Sequence, residues 1–427
     1  MVSACAADPR IGPLAGLDPD DPQYATQVVD RLLAAGRAAG ASDLHLQPAA
    51  EGLELRLRID GVLQPLGRVP RALAANVIAR LKVQAELLTY RTDMPQEGRI
   101  RAPGCDVEMR VSTFPTMFGE RAVVRLFGRA GRYERLAELG MPPDVLAGLR
   151  QILGETAGAI LVSGPAGSGK TTTVYACLRE LAAQGGLRSL VSLEDPIEVA
   201  LPGVAQAQVN PVAGLDLATG LRFLMRQDPE VIMVGEIRDR ATAEAAFQAS
   251  LTGHLLLSTF HAGSAAETLG RLLDMGIEPY VLRSGLLAIL CQRLLRRLCS
   301  CARASDDPQA RLGLPIGRPL VAAGCPECAG TGYRGRMLVV EMLLLKPLAG
   351  QPAADLARAV LARADTTVLE DLAIRSGMVT RWQWAIRAAE EGRTSPAEIR
   401  RVLGLATPPN GTCRVGQAQR GPTTNPL

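Results

Sequence analysis

The sequence predicts an α/β protein built around a doubly wound parallel sheet, with a smaller α+β domain ahead of it. Three observations predict this. Four short runs, AILVSG (159–164), SLVSLED (189–195), VIMVGE (231–236) and LLLST (255–259), are nearly continuous in apolar and β-branched residues and are separated by helical stretches. Strands buried on both faces of a parallel sheet have this pattern. The first run leads into a glycine-rich loop and then the helical pattern TTTVYACLREL, a strand–loop–helix order. Upstream, LELRLRIDGVLQPL (53–66) alternates apolar and polar residues around Asp60-Gly61, the period and turn of an antiparallel hairpin.

At 427 residues the chain exceeds what one hydrophobic core usually holds, so about two to three domains are expected. Residues 1–22, rich in Pro, Asp and Gly, read as a flexible lead-in, and 406–427 as a disordered tail. The α+β domain is placed at 23–130. It opens with helical spacing from Tyr24 to Ala39, continues into the hairpin, whose outward face carries Arg56 and Arg58, and adds a helix around 71–89 and strands near 106–112 and 121–127. The sheet core is placed at 131–290, a four-cysteine segment at 291–335, and a mostly helical region at 336–405 that begins with the apolar run MLVVEMLLL.

A formal charge of +4 with scattered basic residues gives no electrostatic case for a nucleic-acid surface, so no direct nucleic-acid partner is expected. The nine cysteines are unevenly spread and four of them form two close pairs. That is metal-site spacing rather than a disulfide framework, and it points to a reducing compartment. The chain opens without a basic start followed by an apolar stretch, and no apolar run reaches the ~18 residues of a membrane span. A soluble, cytoplasmic protein that meets a membrane only through partners is expected. Lysine occurs only at Lys82, Lys170 and Lys346 in an arginine-rich chain; such positions suit a compact ammonium better than a planar fork.

The chemistry gathers at the strand ends. The loop Gly164, Pro165, Ala166, Gly167, Ser168, Gly169, Lys170, Thr171, Thr172 lets backbone N–H groups wrap phosphate oxygens at a helix N-terminus, with Lys170 reaching the β- and γ-phosphates and Thr171 a ligand of Mg²⁺. A chance glycine-rich turn is the bland alternative, and the strand–loop–helix context argues against it. The other runs end in Glu194-Asp195-Pro196-Ile197-Glu198, in Glu236-Ile237-Arg238-Asp239 and in Thr259-Phe260-His261. Ligands of open parallel sheets bind beyond the carboxyl ends of the strands, so these groups are expected to converge on one triphosphate. Hydrolysis requires one carboxylate to orient water and another to hold the metal shell. Glu198 suits the first role and Glu236 the second, with Glu194 and Asp195 beside the nucleotide; solvated strand ends or helix caps are the alternative. His254 and His261 are expected to sense the phosphates, against the usual reading of a histidine as a satisfied core group. His45 completes the set of histidines.

These residues resemble the type II secretion and type IV pilus assembly ATPases of the GspE/PilB type. GPAGSGKTTT is similar to that family's Walker A loop, LEDPIE to its aspartate box, DPEVIMVGEIRD to its Walker B segment and TGHLLLSTFHA to its histidine box. ASDLHLQP, LRLRIDGVL, RLKVQAEL, PQEGRI and RVSTFPTMFGERAVVRL resemble its preceding domain, and GTGYRGRMLVVEML its region after the cysteines, so the likeness covers about 24–404. The resemblance implies a RecA-like core preceded by a PAS-like (N2-type) domain. It also implies a homo-hexamer whose arginines complete each site, and an Mg²⁺-dependent ATPase driving pilus or pseudopilus extrusion through an inner-membrane platform protein. Arg110 and Arg125 match the family's arginine pair, with Arg121 nearby; an exposed charged strand face is the alternative.

Cys299, Cys301, Cys325 and Cys328 resemble the family's four-cysteine zinc module, although the first pair is separated by one residue rather than two. Free thiols are the alternative, and Cys291 could serve as a ligand only if its expected helix ended early. Gln47 stands where the family has a glutamate, and the family's long N-terminal recruitment domain is not expected ahead of residue 24. A retraction or DNA-uptake motor is the runner-up, and the cysteine module favours assembly. A GTP switch would need an Asn-Lys-x-Asp stretch, and none occurs. A non-hydrolysing scaffold is opposed by Glu198 and Glu236.

Overall fold

The computed structural model describes residues 14–101, 108–126, 135–185, 188–346 and 355–405. The chain-start segment 1–13 and the tail expected at 406–427 lie outside these residues, as does the boundary placed near 130. Of the lead-in expected at 1–22, the described residues 14–22 are held: Leu14 and Leu17 pack against the first core and the Ala15 carbonyl accepts from Arg31 at 3.1 Å. Two leucines among the Pro, Asp and Gly residues are enough to tie the segment down.

The first domain contains α1 (Tyr24–Ala38), β1 (Asp43–Ala49), β2 (Gly52–Ile59), β3 (Val62–Pro70), α2 (Arg71–Gln84), β4 (Gln96–Arg101), β5 (Glu108–Thr116) and β6 (Gly119–Leu126). Its strands form an antiparallel sheet in the order β3-β2-β1-β6-β5-β4. Asp60 and Gly61, both at positive φ, make the expected β2–β3 turn. Alternate strand residues bury Leu44, Leu46, Leu53, Leu55, Val111 and Val124 beneath α1 and α2. On the opposite face the register places Arg58, Asp43, Arg125, Arg110 and Arg99 side by side across five strands. Lys82 is fully buried; its Nζ donates to the Arg91 carbonyl at 2.6 Å and to the Glu120 carboxylate at 2.9 and 3.1 Å. Three diverging donors on one nitrogen account for a lysine here.

The second domain opens with α3 (Pro143–Leu153), β7 (Gly158–Ser163), α4 (Lys170–Ala182), β8 (Leu190–Glu194), β9 (Ala205–Gln208), α5 (Leu217–Leu224), β10 (Val231–Val234), α6 (Arg240–Leu251) and β11 (Leu255–Phe260). It continues with α7 (Ala265–Asp274), α8 (Pro279–Gly285), β12 (Leu286–Leu298), the short pair β13 (Arg303–Ala304) and β14 (Leu320–Val321), and β15 (Tyr333–Leu344). It ends with α9 (Leu356–Leu361), α10 (Thr366–Arg375), α11 (Arg381–Glu390) and α12 (Pro396–Leu403). The sheet order is β15-β12-β7-β11-β10-β8-β9. All neighbours are parallel except β15 on β12. Strands β7, β8, β10 and β11 are buried throughout, with an apolar cluster on each face. These are the four runs read from the sequence.

The boundary expected at 290/291 is wrong in detail. Leu286–Leu298 is one strand, parallel to β7 and antiparallel to β15, so Cys291 lies buried mid-strand rather than in a helix. A thirteen-residue, leucine-rich run has helix-like length, and periodicity alone does not separate the two. The run MLVVEMLLL is likewise strand up to Leu344, and among the described residues the next helix is Leu356–Leu361. The cysteine segment is therefore an insertion between two neighbouring strands of the main sheet.

Candidate functional site

The loop between β7 and α4 needs glycine for steric reasons. At Gly164, φ is +147° and a Cβ would sit 2.6 Å from both the Gln292 carbonyl and Ser168 Oγ; Gly169 has φ +88° at the N-cap of α4. Ser168 Oγ is buried without a protein partner. Lys170, 8% exposed, donates to the carbonyls of Gly164 at 2.9 Å and Pro165 at 3.0 Å. Burial lowers its pKa, the Glu236 carboxylate opposes that shift and Arg293 adds to it. The loop residues Pro165, Ala166 and Gly167 are exposed, as is Thr172, and Thr171 is half-buried. An orphaned buried hydroxyl, a cation and a helix N-terminus on one loop fit a phosphate group.

Glu236, just beyond β10, pairs with Arg238 and lies with Oε2 3.5 Å from His261 Nε2. His261, just beyond β11, has its pKa lowered by burial first and by Lys170 next, with Glu236 opposing. Neighbouring strand ends thus bring Lys170, Glu236 and His261 together. Thr259 Oγ1 fixes the spacing by donating to the Gly235 carbonyl at 2.8 Å.

His254 is not there. It precedes β11, at the opposite end of that strand, where Nδ1 lies 3.0 Å from the Ala249 carbonyl and 3.3 Å from Thr252 Oγ1. Six strand residues at ~3.3 Å each separate the two histidines, so within this chain His254 finishes helix α6 rather than sensing phosphate.

Glu194 is corrected as well. It is buried, and its carboxylate is taken up by the Tyr175 hydroxyl, by Ser192 Oγ at 2.6 Å and by Gln206 Nε2 at 3.0 Å. Buried and holding three protein donors, it supports the loop after β8 instead of reaching out to a nucleotide. Asp195 is exposed beside it and interacts electrostatically with Arg238.

Glu198 has an exposed surface, yet neighbouring groups partly desolvate its carboxyl. That desolvation raises its pKa, Glu194 raises it further, and Arg110 and Arg125 pull it back down. The arginine pair therefore faces Glu198 of its own chain. Arg125 also donates to Asp43 at 3.1 Å. Arg121 is not among the charges acting on Glu198; its Nη2 lies 3.4 Å from Nδ1 of the buried His45.

Two residues escaped the sequence reading. Tyr175 touches both Glu194 and the backbone of Glu198; its signal was the four-residue helical spacing from Thr171. Gln292, fully buried in β12, accepts from Thr173 Oγ1 at 3.1 Å and donates to the Ser168 carbonyl at 3.0 Å, bracing the phosphate loop. It lay hidden in a run read as helical.

At the far end of β12, the Sγ atoms of Cys299, Cys301, Cys325 and Cys328 all lie within 4.8 Å of one another and could hold a metal ion. Burial raises the Cys328 thiol, but N–H groups of Cys325 and Gly332, each 3.1 Å from Sγ, bring it down to about 6.

Residues 18–401 match the family model described as "Type II/IV secretion system protein". The chain is 36% identical over 390 residues to the type IV pilus assembly ATPase PilB of Thermus thermophilus, covering 89% of this chain and 43% of that protein. It thus spans less than half of that relative's length. It is 40% identical over 396 residues to the type II secretion system protein E of Klebsiella pneumoniae, covering 88% of this chain and 78% of the relative. Among solved structures, the ATPase DotB of Legionella pneumophila shares the fold, with a TM-score of 0.63 and 20% identity over 90% of this chain and 97% of that one. With a phosphate loop, Glu236 and His261 brought together at neighbouring strand ends, and a family model spanning nearly the whole chain, this protein belongs to the type II/IV secretion system protein family of ATPases.

Proposed function

We propose that this chain is the ATP-hydrolysing motor of a type II secretion or type IV pilus assembly system. It works as a homo-hexamer on the cytoplasmic side of the inner membrane and drives a pilus or pseudopilus outward through a membrane platform protein. The observation that carries this reading is the meeting of Lys170, Glu236 and His261 at neighbouring strand ends, with Glu198 and its arginines beside them. No helix among the described residues is long and apolar enough to cross a membrane, so contact with the membrane is assigned to partners.

Backbone N–H groups of Gly167 to Lys170 cradle the phosphates, and Lys170 neutralises the β,γ side. Thr171 and Glu236 hold Mg²⁺, which when bound supplies charge neutralisation at the phosphoryl oxygens. Glu198 orients water for attack, and His261 reads the state of the γ-phosphate through Glu236. Arg110 and Arg125 stand where charge builds up on the transferred group, so closure of the first domain on the second is coupled to hydrolysis.

Zinc is the metal proposed for the four thiols. A tetrahedron with Zn–S near 2.3 Å has edges of about 3.8 Å, and Sγ separations of 3.8, 3.9 and 3.7 Å for Cys299–Cys325, Cys301–Cys328 and Cys325–Cys328 support it.

Lys170→Ala tests the motor reading. ATP turnover should fall to background with the fold retained; turnover at the wild-type rate would remove the assignment.

A further inference from the structure

Tyr175 lies one helical turn beyond Thr171, on the same face of α4. Its ring is buried, and its hydroxyl faces two groups. It donates to the Glu194 carboxylate, and it accepts from the backbone N–H of Glu198 at 3.3 Å. The direction is set chemically: a backbone N–H only donates, so the phenol oxygen accepts from Glu198 and its own proton is left to point at Glu194. Burial and Glu194 push the Tyr175 pKa up, which keeps that proton in place.

The loop carrying Glu198 is otherwise tied to β9. Gln206 donates to the Val199 carbonyl at 3.0 Å and accepts from the Leu201 N–H at 2.6 Å, and Gln208 accepts from the Ile197 N–H at 3.4 Å. The tie from Tyr175 comes instead from the phosphate-loop helix, which also carries Lys170 and Thr171.

We propose that Tyr175 is a positioning residue for hydrolysis: its hydroxyl, oriented by Glu194, fixes the backbone of Glu198 against the helix that holds the phosphates and the metal ligand. The proposal rests on the reading of Glu198 as the group that orients water. An attacking water must stand in line with the bond that breaks, and misplacement by about an ångström costs orders of magnitude in rate. Binding of the phosphates does not need this link. Its loss is therefore a loss in turnover alone.

The test compares wild type, Tyr175→Phe, Glu198→Gln and the double variant as full chains, reading kcat and KM for ATP, single-turnover hydrolysis, the Kd of a fluorescent ATP analogue and Tm. Tyr175→Phe keeps the ring and removes the oxygen. Its kcat should fall about tenfold while KM and Kd stay within about twofold. In the Glu198→Gln background it should cause no further loss, because it acts through that residue. Glu194→Gln, which frees the phenol to turn round, is the second arm, and it decides if Tyr175→Phe does not fold; a loss of about threefold, absent again in the Glu198→Gln background, is expected. A Tyr175→Phe enzyme with unchanged kcat, or losses that multiply in the double variant, overturns the proposal and leaves the role of Glu198 standing. Full turnover by Glu198→Gln alone overturns both.

Discussion

Glu398, with no exposed surface, takes hydrogen bonds from the Arg296 guanidinium at 2.8 and 2.9 Å and a third from the Arg296 backbone at 2.9 Å. Arg401 adds two more, at 2.7 and 2.6 Å. The carboxylate of α12 thereby locks the C-terminal helices onto β12. Glu398 and Arg296 form a buried pair and Arg401 completes it from a partly exposed position; removing the carboxylate leaves Arg296 without its partner, so Glu398→Ala should cost about 3–5 kcal/mol. Chemical denaturation would measure it.

The same cluster sets an acid limit. Burial raises the Glu398 pKa, but the Arg401 and Arg296 bonds outweigh it and hold it below the ordinary value. Its stabilisation is therefore fully present above the unfolded pKa of about 4.3 and is lost as pH falls through the folded value. Below about pH 4.3, Glu398→Gln should lose less Tm per pH unit than wild type. Parallel slopes would place the acid sensitivity elsewhere.

Arg110 should control the pH dependence of turnover. It lowers the Glu198 pKa from across the crevice, so Arg110→Ala lets that pKa rise, and the acidic limb of the kcat profile moves to higher pH. Because the pair is partly solvated, the shift should shrink in high salt. A limb that does not move would separate Arg110 from Glu198.

For the cysteine cluster, elemental analysis of purified protein should find about one zinc per chain, the stoichiometry of a closed four-thiolate site. Cys328→Ser should lower metal content and Tm together, since metal binding is linked to folding of the segment. A metal-free chain with wild-type Tm would make the cysteines plain thiols.

Gln292→Leu removes both bonds that brace the phosphate loop while preserving volume. It should weaken ATP binding by about tenfold, roughly the value of two neutral hydrogen bonds felt through the loop. Equilibrium binding of a fluorescent ATP analogue is the direct measurement.

What the sequence made legible follows from period and spacing. Runs such as AILVSG have no charged residue to place at a surface, and the parallel register of β7, β10 and β11 then sets Lys170, Glu236 and His261 at the same end of the sheet. The failures share a cause. His254 and His261 flank one strand, and chain proximity hid the strand length between them. Glu194 looked like its acidic neighbours, but burial and three donors were not readable from type alone. The run 286–298 is as apolar as a helix and as long, and only its pairing with β7 and β15 shows it to be a strand.

That strand has a mechanical consequence. Gln292 grips the phosphate loop near its middle, and Cys299 stands immediately past its end, roughly 20 Å away at the rise of an extended chain. The two places share one strand, paired with β15 from Ala288 to Leu298 with a single register shift between Arg296 and Leu298. The segment that holds the four thiols is thereby rooted in the same strand as the brace of the phosphate loop, and the irregularity at Arg296–Leu298 is the point on that shared strand where bending is eased.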